Sequence, residues 1–158
     1  MLKQTRIQWM IAGLLVLAKK KKFILAGKSI GIVGVGNVGS KVDAKCRGLG
    51  MKTVLNDPPL ARQTNDEKYR PIEEVLECDF VTMHTPLIFE GPDKTHYLAD
   101  QSFFDTFKNG SVFMNTSRGG VMDTIALKFA MDSGKLNGVI LDVFENEPTP
   151  DPELVLKA

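Results

Sequence analysis

The feature that most constrains the fold is an apolar run at 29–33 that leads directly into glycines spaced as G-x-G-x-x-G. A strand that ends in such glycines and then opens a helix presents main-chain N–H groups and a helix N-terminus to a dinucleotide pyrophosphate. We expect Gly34 to allow the tight turn, Gly36 to let the phosphates approach, and Gly39 to let helix and strand pack closely. The sequence therefore predicts a dinucleotide-binding βαβ unit.

The residues around the glycines support this interpretation, which three spaced glycines alone would not carry. Ile30 and Ile32 supply a buried strand. Apolar residues then recur at helical spacing, so that one face of the following helix can pack on the sheet: Val38, Val42, Cys46 and Leu49. The predicted cofactor loop contains Gly34, Gly36, Asn37, Val38 and Gly39.

Asp57 is the predicted ligand of the cofactor ribose. A second apolar segment, 53–55, precedes it, which places its carboxylate 18 residues after Gly39 at the end of the next strand. A carboxylate there accepts the ribose hydroxyls of NAD and repels the 2′-phosphate of NADP, and no basic residue follows until Arg62. We therefore predict NAD. The alternative is that Asp57 only caps the turn before Pro58.

The rest of the chain alternates between strands and helices. We predict strands at 79–84, 110–115 and 138–143 and helices at 71–78, 100–107 and 124–133, the last capped by Asp123, with a polar connection at 61–70. This alternation predicts an α/β fold, a doubly wound parallel sheet of Rossmann type in three α/β/α layers. Ligands of such sheets lie at the carboxyl ends of the strands. The turns at that edge carry Gly36, Asp57, Thr85, Arg118 and Glu147.

Size and charge narrow the function. The 158 residues suit one domain, and 20 Lys and Arg against 19 Asp and Glu give a net charge of +1, which offers no electrostatic argument for nucleic acid. Cys46 and Cys78 lack metal-type spacing, so we expect reduced thiols in a cytoplasmic protein and no metal site. We divide the chain into an N-terminal helix with a basic linker at 1–26, the dinucleotide-binding domain at 27–148, and a tail at 149–158.

The N-terminal segment predicts a helix rather than a membrane span. Its uncharged run at 9–18 is too short for a bilayer, which needs about 20 residues, and a run of lysines at 19–22 stands where a signal peptide would have its cleavage site. Helical spacing puts one broad apolar face on Ile7, Met10, Ile11, Leu14, Leu15 and Ala18, with Trp9, Val16 and Leu17 elsewhere. Such a helix requires protein on more than one side, and we expect a homodimer.

Arg118 stands out on its chemistry alone. A guanidinium held between a strand end and a glycine pair can bind a carboxylate through two parallel hydrogen bonds, although an ordinary surface arginine is the alternative. Glu145 and Glu147 lie in an acidic segment, for which a solvated loop is the default interpretation.

Several segments agree in order and spacing with one enzyme family. They are 34–39, 57–59, 84–87, 90–96, 115–120, Asp123 and 141–148. Through them the chain resembles the D-isomer 2-hydroxyacid dehydrogenases over nearly its whole length. The resemblance implies an oxidoreductase that moves a hydride between nicotinamide C4 and C2 of a hydroxy acid, phosphorylated or not.

The resemblance also implies residue roles. Arg118 would hold the substrate carboxylate and polarise the C2 oxygen, and Glu147 would pair with a histidine that acts as general acid and base. Asp142 would lie near the nicotinamide carboxamide. The remaining implied cofactor contacts are His84, Thr85 and Pro86 on the adenosine side, with Thr95, Asn115, Thr116 and Ser117.

The sequence departs from the family pattern at the acid–base residue. The family's histidine follows the Glu147 motif in a Pro–His pair, whereas no histidine follows His96 here, and the family's separate substrate domain is absent. We therefore expect the chain to be the cofactor domain of a larger or truncated enzyme of this family, with negligible turnover alone. Which member of the family it belongs to is left open. The alternative is a stand-alone NAD-binding or regulatory module without catalysis.

Overall fold

A five-stranded parallel sheet organises the chain, as described for residues 2–157 by a computed structural model. The strands are β1 (Ser29–Val33), β2 (Lys52–Asn56), β3 (Phe80–Met83), β4 (Ser111–Asn115) and β5 (Leu136–Leu141), in the spatial order β2-β1-β3-β4-β5. Each neighbouring pair runs parallel, with a register irregularity at Ser111/Val112. The strand order reverses between β1 and β3, where open α/β sheets bind their ligands. The predicted doubly wound sheet is confirmed.

Helices cover both faces of the sheet. They are α1 (Leu2–Lys21), α2 (Gly39–Gly48), α3 (Pro58–Thr64), α4 (Ile72–Leu76), α5 (Gln101–Thr106), α6 (Thr124–Asp132) and α7 (Pro152–Lys157), with a 3-10 turn at Gly119–Val121. On one face α1 and α2 bury Leu14 and Val42 in the core. On the other, α5 and α6 bury Phe104 and Leu127 against Phe113 of β4. The three α/β/α layers are therefore as predicted.

Three elements differ from the sequence prediction. Helix α3 begins inside the turn where only a cap was considered, and it ends within the predicted polar connection, because Asp57 caps it and two prolines occupy its first turn. Helix α7 forms in the tail, where Leu154 is buried in the core. Strand β5 begins and ends two residues earlier than predicted, since Leu136 is already buried.

The apolar face of α1 is narrower than predicted. Ile7, Met10, Leu14 and Ala18 are buried, whereas Leu15, predicted on the same apolar face, is 46% exposed. Leu15 lies about 100° around the helix from Leu14, outside the stripe that meets the sheet. In the part of the chain that the structure describes, no helix is both long enough and apolar enough to cross a membrane.

Candidate functional site

The glycine loop after β1 has three sterically distinct positions. Gly34 adopts φ +87°, and its N–H donates to the Asn56 carbonyl at 2.8 Å. A Cβ on Gly39 would collide with the carbonyl oxygen of Gly34, so α2 could not begin so close to β1. A Cβ on Gly36, in contrast, would meet no atom within 4 Å. Gly36 is thus dispensable for packing among the described residues and leaves the main chain open on one side.

The same loop leads into a helix without a side-chain cap. Val38 occupies the N-cap position of α2, and its side chain has no polar atom that could accept a helix N–H group. Asn37 beside it is exposed. The N–H groups of Ser40, Lys41 and Val42 donate to main-chain carbonyls of the loop, so it is the helix dipole that favours a phosphate at this end of α2.

Asp57 joins the glycine loop to the end of β2. Its Oδ2 accepts the Val35 N–H at 2.8 Å, and its Oδ1 accepts the Leu60 N–H at 3.0 Å. The cap that the sequence offered as an alternative therefore exists. An ionised carboxylate has about four acceptor positions, so two remain for ribose hydroxyls. The structure makes the cap and the predicted ribose contact compatible.

A cavity of about 590 Å³ opens beside this loop, at the carboxyl ends of β1, β2 and β3. It brings together seven of the predicted cofactor residues: Gly34, Gly36, Asp57, His84, Thr85, Pro86 and Thr95. Its size lies in the range of pockets that bury small ligands. The sequence did not identify its outer wall, which includes Tyr69, Arg70, Pro71 and Ile72.

His84 and Thr95 shape the inner side of the cavity. The His84 Nε2 lies 3.0 Å from the Thr82 hydroxyl, and burial lowers the pKa of His84 to about 4. His84 is therefore neutral near pH 7. The Thr95 hydroxyl donates to the Pro86 carbonyl at 2.5 Å and accepts the Ile88 N–H at 2.8 Å. Thr95 thus fixes the loop after β3 over the cavity.

A second group of predicted residues lies at the ends of β4 and β5, outside this cavity. Buried Asn115 organises it: its Oδ1 accepts both the N–H and the hydroxyl of Ser117, at 3.0 and 2.8 Å, and its Nδ2 donates to the Arg118 carbonyl at 2.9 Å. Its own carbonyl accepts the Asp142 N–H at 3.1 Å. Arg118 is exposed, and its Nη1 donates to the Ser117 carbonyl at 2.8 Å.

The loop after β5 packs directly on the Arg118 turn. A Cβ on Gly119 would collide with the Phe144 carbonyl oxygen, so the two loops can approach only because residue 119 is a glycine. Exposed Glu147 accepts the Phe144 N–H at 2.8 Å and so braces its own loop. The Asn115, Arg118 and Glu147 segments therefore form one continuous edge.

Glu145 and Tyr97 also join loops at this edge, and the sequence did not identify them as a pair. The Tyr97 hydroxyl donates to Glu145, which also accepts the Thr124 N–H at 3.2 Å. Partial burial disfavours the Glu145 carboxylate, but the hydrogen bonds from Tyr97 and Thr124 outweigh it and lower its pKa. The Tyr97 N–H donates to the Gly120 carbonyl at 3.0 Å. This hydrogen bond joins the loop after β3 to the Arg118 turn.

Two buried hydroxyls indicate that a polar ligand belongs along this edge. Among the described residues, the side-chain hydroxyls of Thr85 and Thr116 are buried without a hydrogen-bond partner, as is Thr53 within β2. An unsatisfied buried hydroxyl costs about 1–3 kcal/mol. Thr85 follows β3 and Thr116 follows β4, so both hydroxyls lie at the carboxyl ends of neighbouring strands. With the open side of Gly36, these residues fit a dinucleotide.

Known proteins are similar to this chain in sequence and in fold. Residues 5–158 match the family described as D-isomer specific 2-hydroxyacid dehydrogenase, NAD binding domain. The chain is 41% identical over 152 residues to the erythronate-4-phosphate dehydrogenase of Pectobacterium carotovorum subsp. carotovorum, covering 96% of this chain and 40% of that protein. The chain thus spans about two fifths of the length of the curated relatives it matches.

Solved structures extend the comparison. The NAD-dependent formate dehydrogenase from Staphylococcus aureus, solved in complex with NAD, superposes with a TM-score of 0.82 at 24% identity, over 95% of this chain and 50% of that one. At that identity the likeness supports the fold alone. The D-lactate dehydrogenase from Aquifex aeolicus, complexed with NAD and lactic acid, superposes with a TM-score of 0.67 at 34% identity, over 82% of this chain and 38% of that one.

Proposed function

Since this chain belongs to the D-isomer specific 2-hydroxyacid dehydrogenase family, as its NAD-binding domain, we propose that it serves hydride transfer between NAD and C2 of a D-2-hydroxy acid, with 4-phosphoerythronate as the substrate. The substrate rests on the relatives named erythronate-4-phosphate dehydrogenase at 40–41% identity. A reaction on that acid would belong to pyridoxine biosynthesis in the cytoplasm. The observation that carries the proposal is that the loop after β3, whose Thr95 lines the cavity beside Asp57, is hydrogen-bonded through Tyr97 to the Arg118 turn.

NAD, the cofactor of this domain, accepts or donates the hydride when it is bound. We assign residues 27–148 to holding it. Asp57 accepts hydrogen bonds from the adenosine ribose, and the open main chain at Gly36 and the N-terminus of α2 receive the pyrophosphate. The Thr85 and Thr116 hydroxyls gain the partners that they otherwise lack.

Arg118 and Glu147 are assigned to the substrate side. The exposed Arg118 guanidinium extends from a turn fixed by Asn115, which suits two parallel hydrogen bonds to a substrate carboxylate. Its charge favours the negative charge that builds on the C2 oxygen when a keto acid accepts hydride. Glu147, on the neighbouring loop, is assigned to pair with the family's histidine, whose basicity a carboxylate raises and which would exchange the substrate proton.

The experiment is a calorimetric titration with NAD, followed by an assay of NADH absorbance with 4-phosphoerythronate. We expect NAD binding, and any turnover to depend on Arg118: Arg118→Gln should keep the affinity for NAD and abolish the reaction. Absence of NAD binding would contradict the proposal. NAD binding with turnover of 3-phosphoglycerate or D-lactate instead would assign a different member of the family. NAD binding without turnover is expected both of the cofactor domain alone and of a non-catalytic NAD-binding module.

We also propose a homodimer formed through the outward side of α1. Trp9 and Val16 lie there, 61% and 66% exposed, next to Leu15. An apolar surface of this kind on a helix favours a second protein surface. Sedimentation should give a dimer that Val16→Glu converts to monomer. Ile125→Glu, at another apolar position that is 81% exposed on α6, is the matched control and should leave the dimer intact; a wild-type monomer at micromolar concentration would refute the proposal.

A further inference from the structure

An ion pair joins Arg62 to Asp93, one of the residues that line the cavity beside Asp57. A single guanidinium nitrogen of Arg62, on α3, donates to both carboxylate oxygens of Asp93, in the loop after β3, at 2.6 and 2.7 Å. Asp93 lines the cavity together with Asp57, and α3 starts directly after Asp57. The Arg62 guanidinium therefore contacts a carboxylate of the cavity wall, although Arg62 itself is not among the lining residues.

Arg62 is the first cation after the ribose carboxylate, and its position suits a 2′-phosphate. It lies five residues beyond Asp57, about 7.5 Å along a helix, within the reach of an arginine side chain. A nearby arginine is what accommodates the 2′-phosphate of NADP in dinucleotide-binding folds, because the planar guanidinium matches phosphate oxygens. In this chain the pairing with Asp93 neutralises that cation and fixes its direction.

Arg70, a guanidinium that lines this cavity, is likewise bound to an acidic side chain. Arg70 lines the cavity, but its Nε and Nη2 both donate to Glu74, at 2.9 Å each. Lys94 lies on the far loop, next to Asp93. The charged residues that line the cavity are thus Asp57, Asp93, Arg70 and Lys94. Arg70 is already bound to Glu74, and Arg62, outside the lining, is bound to Asp93.

We propose that Asp93 is a second determinant of NAD over NADP: it withholds Arg62 from the 2′-phosphate while Asp57 repels that phosphate directly. The inference rests on the NAD binding of this domain and adds a residue that acts only on the choice between the two cofactors. Because the ribose of NAD has no phosphate for Arg62 to contact, NAD binding should be insensitive to the pair.

The test is a calorimetric titration of the variants with NAD and with NADP at low salt. Asp93→Asn is expected to tighten NADP binding about tenfold and to change the affinity for NAD less than twofold. The gain should disappear in the Arg62→Ala/Asp93→Asn double variant, since it depends on the released guanidinium, and it should shrink in high salt. Glu90→Gln is the matched control, because it removes one exposed carboxylate from the same loop without releasing an arginine.

The outcomes separate this inference from the function on which it rests. A wild-type protein that does not bind NAD would contradict the function itself. NAD binding by the wild type with an unchanged NADP affinity in Asp93→Asn would overturn the role of Asp93 alone. An equal gain in Glu90→Gln, or a gain that survives in the double variant, would assign the effect to net charge and likewise refute the release of Arg62. An exposed ion pair adds little to stability, so Asp93→Asn should fold, which its melting curve checks.

Discussion

Mild acid is expected to destabilise this fold through His84. Burial lowers the pKa of His84 from 6.5 to about 4, and its Nε2 lies 3.0 Å from the Thr82 hydroxyl. Between these two pH values the unfolded chain binds a proton at this imidazole that the folded chain does not. The contribution of His84 is therefore fully present above pH 6.5 and is lost as the pH falls towards 4.

The size of this effect follows from the two pKa values of His84. One pH unit of difference corresponds to 1.36 kcal/mol, so the separation between 6.5 and about 4 limits the loss to about 3 kcal/mol in total. Integration over the interval from pH 7 to pH 5 gives a loss of about 2 kcal/mol. That is a large part of the 5–15 kcal/mol by which domains are typically stable.

Urea denaturation at pH 7 and pH 5 measures the change in the free energy of unfolding. His84→Gln keeps a hydrogen-bonding group towards Thr82 but does not titrate, so the wild type should lose about 2 kcal/mol more than this variant between the two pH values. His96→Gln, which removes the other imidazole of the chain, controls for the substitution itself. If wild type and His84→Gln lose the same stability, His84 is not held neutral in the fold and the reasoning fails.

Four further substitutions test the two ends of the sheet. Gly39→Ala should lower the free energy of unfolding, measured in urea, by about 1–3 kcal/mol, because its Cβ would collide with the main chain. Gly36→Ala should keep that free energy and weaken NAD binding at least about tenfold in calorimetry. Thr116→Val should leave the melting temperature unchanged or higher, since it removes a buried hydroxyl that has no hydrogen-bond partner. The same substitution should weaken NAD binding. Asp79 accepts hydrogen bonds from Ser29 and Lys108, which lower its pKa to about 2 despite partial burial. The ionised carboxylate therefore adds about 2 kcal/mol to the free energy of unfolding, and this contribution is lost as the pH falls from 3.8 towards 2. Acid unfolding of Asp79→Asn should lack this pH-dependent loss.

The sheet could be predicted because its strands are short, buried and separated by strong turn signals. The glycine loop, Asp57 and the Asp123 cap all follow from local patterns, and the cap is observed, with Asp123 accepting the N–H groups of Ile125 and Ala126. Helix α3 could not be predicted in this way. It lacks a buried residue of its own, so apolar periodicity gives no signal, and only its cap and prolines mark it.

The outer wall of the cavity could not be predicted for a different reason. Tyr69 forms an isolated bridge with Leu55, and the Arg70 N–H donates to the Leu55 carbonyl at 2.6 Å. These contacts bring residues 69–72 beside the end of β2, across a connection that the sequence presents only as polar. The pairing of Arg62 with Asp93 is likewise between residues 31 positions apart. No local pattern encodes such contacts, because they exist only after α3 and the loop after β3 have folded.

Asp57 illustrates why a structural and a functional interpretation of one residue need not compete. Its two oxygens bond the Val35 and Leu60 N–H groups, so α3, the glycine loop and the end of β2 are all fixed by one carboxylate. A ribose that binds to its remaining acceptor positions meets a group already held in place, and therefore loses little entropy in orienting it. Asp57→Asn keeps one acceptor oxygen and turns the other into a donor that faces an N–H group. Both the free energy of unfolding and the affinity for NAD should therefore fall together, and a loss of affinity without any loss of stability would show that the cap and the binding site are independent.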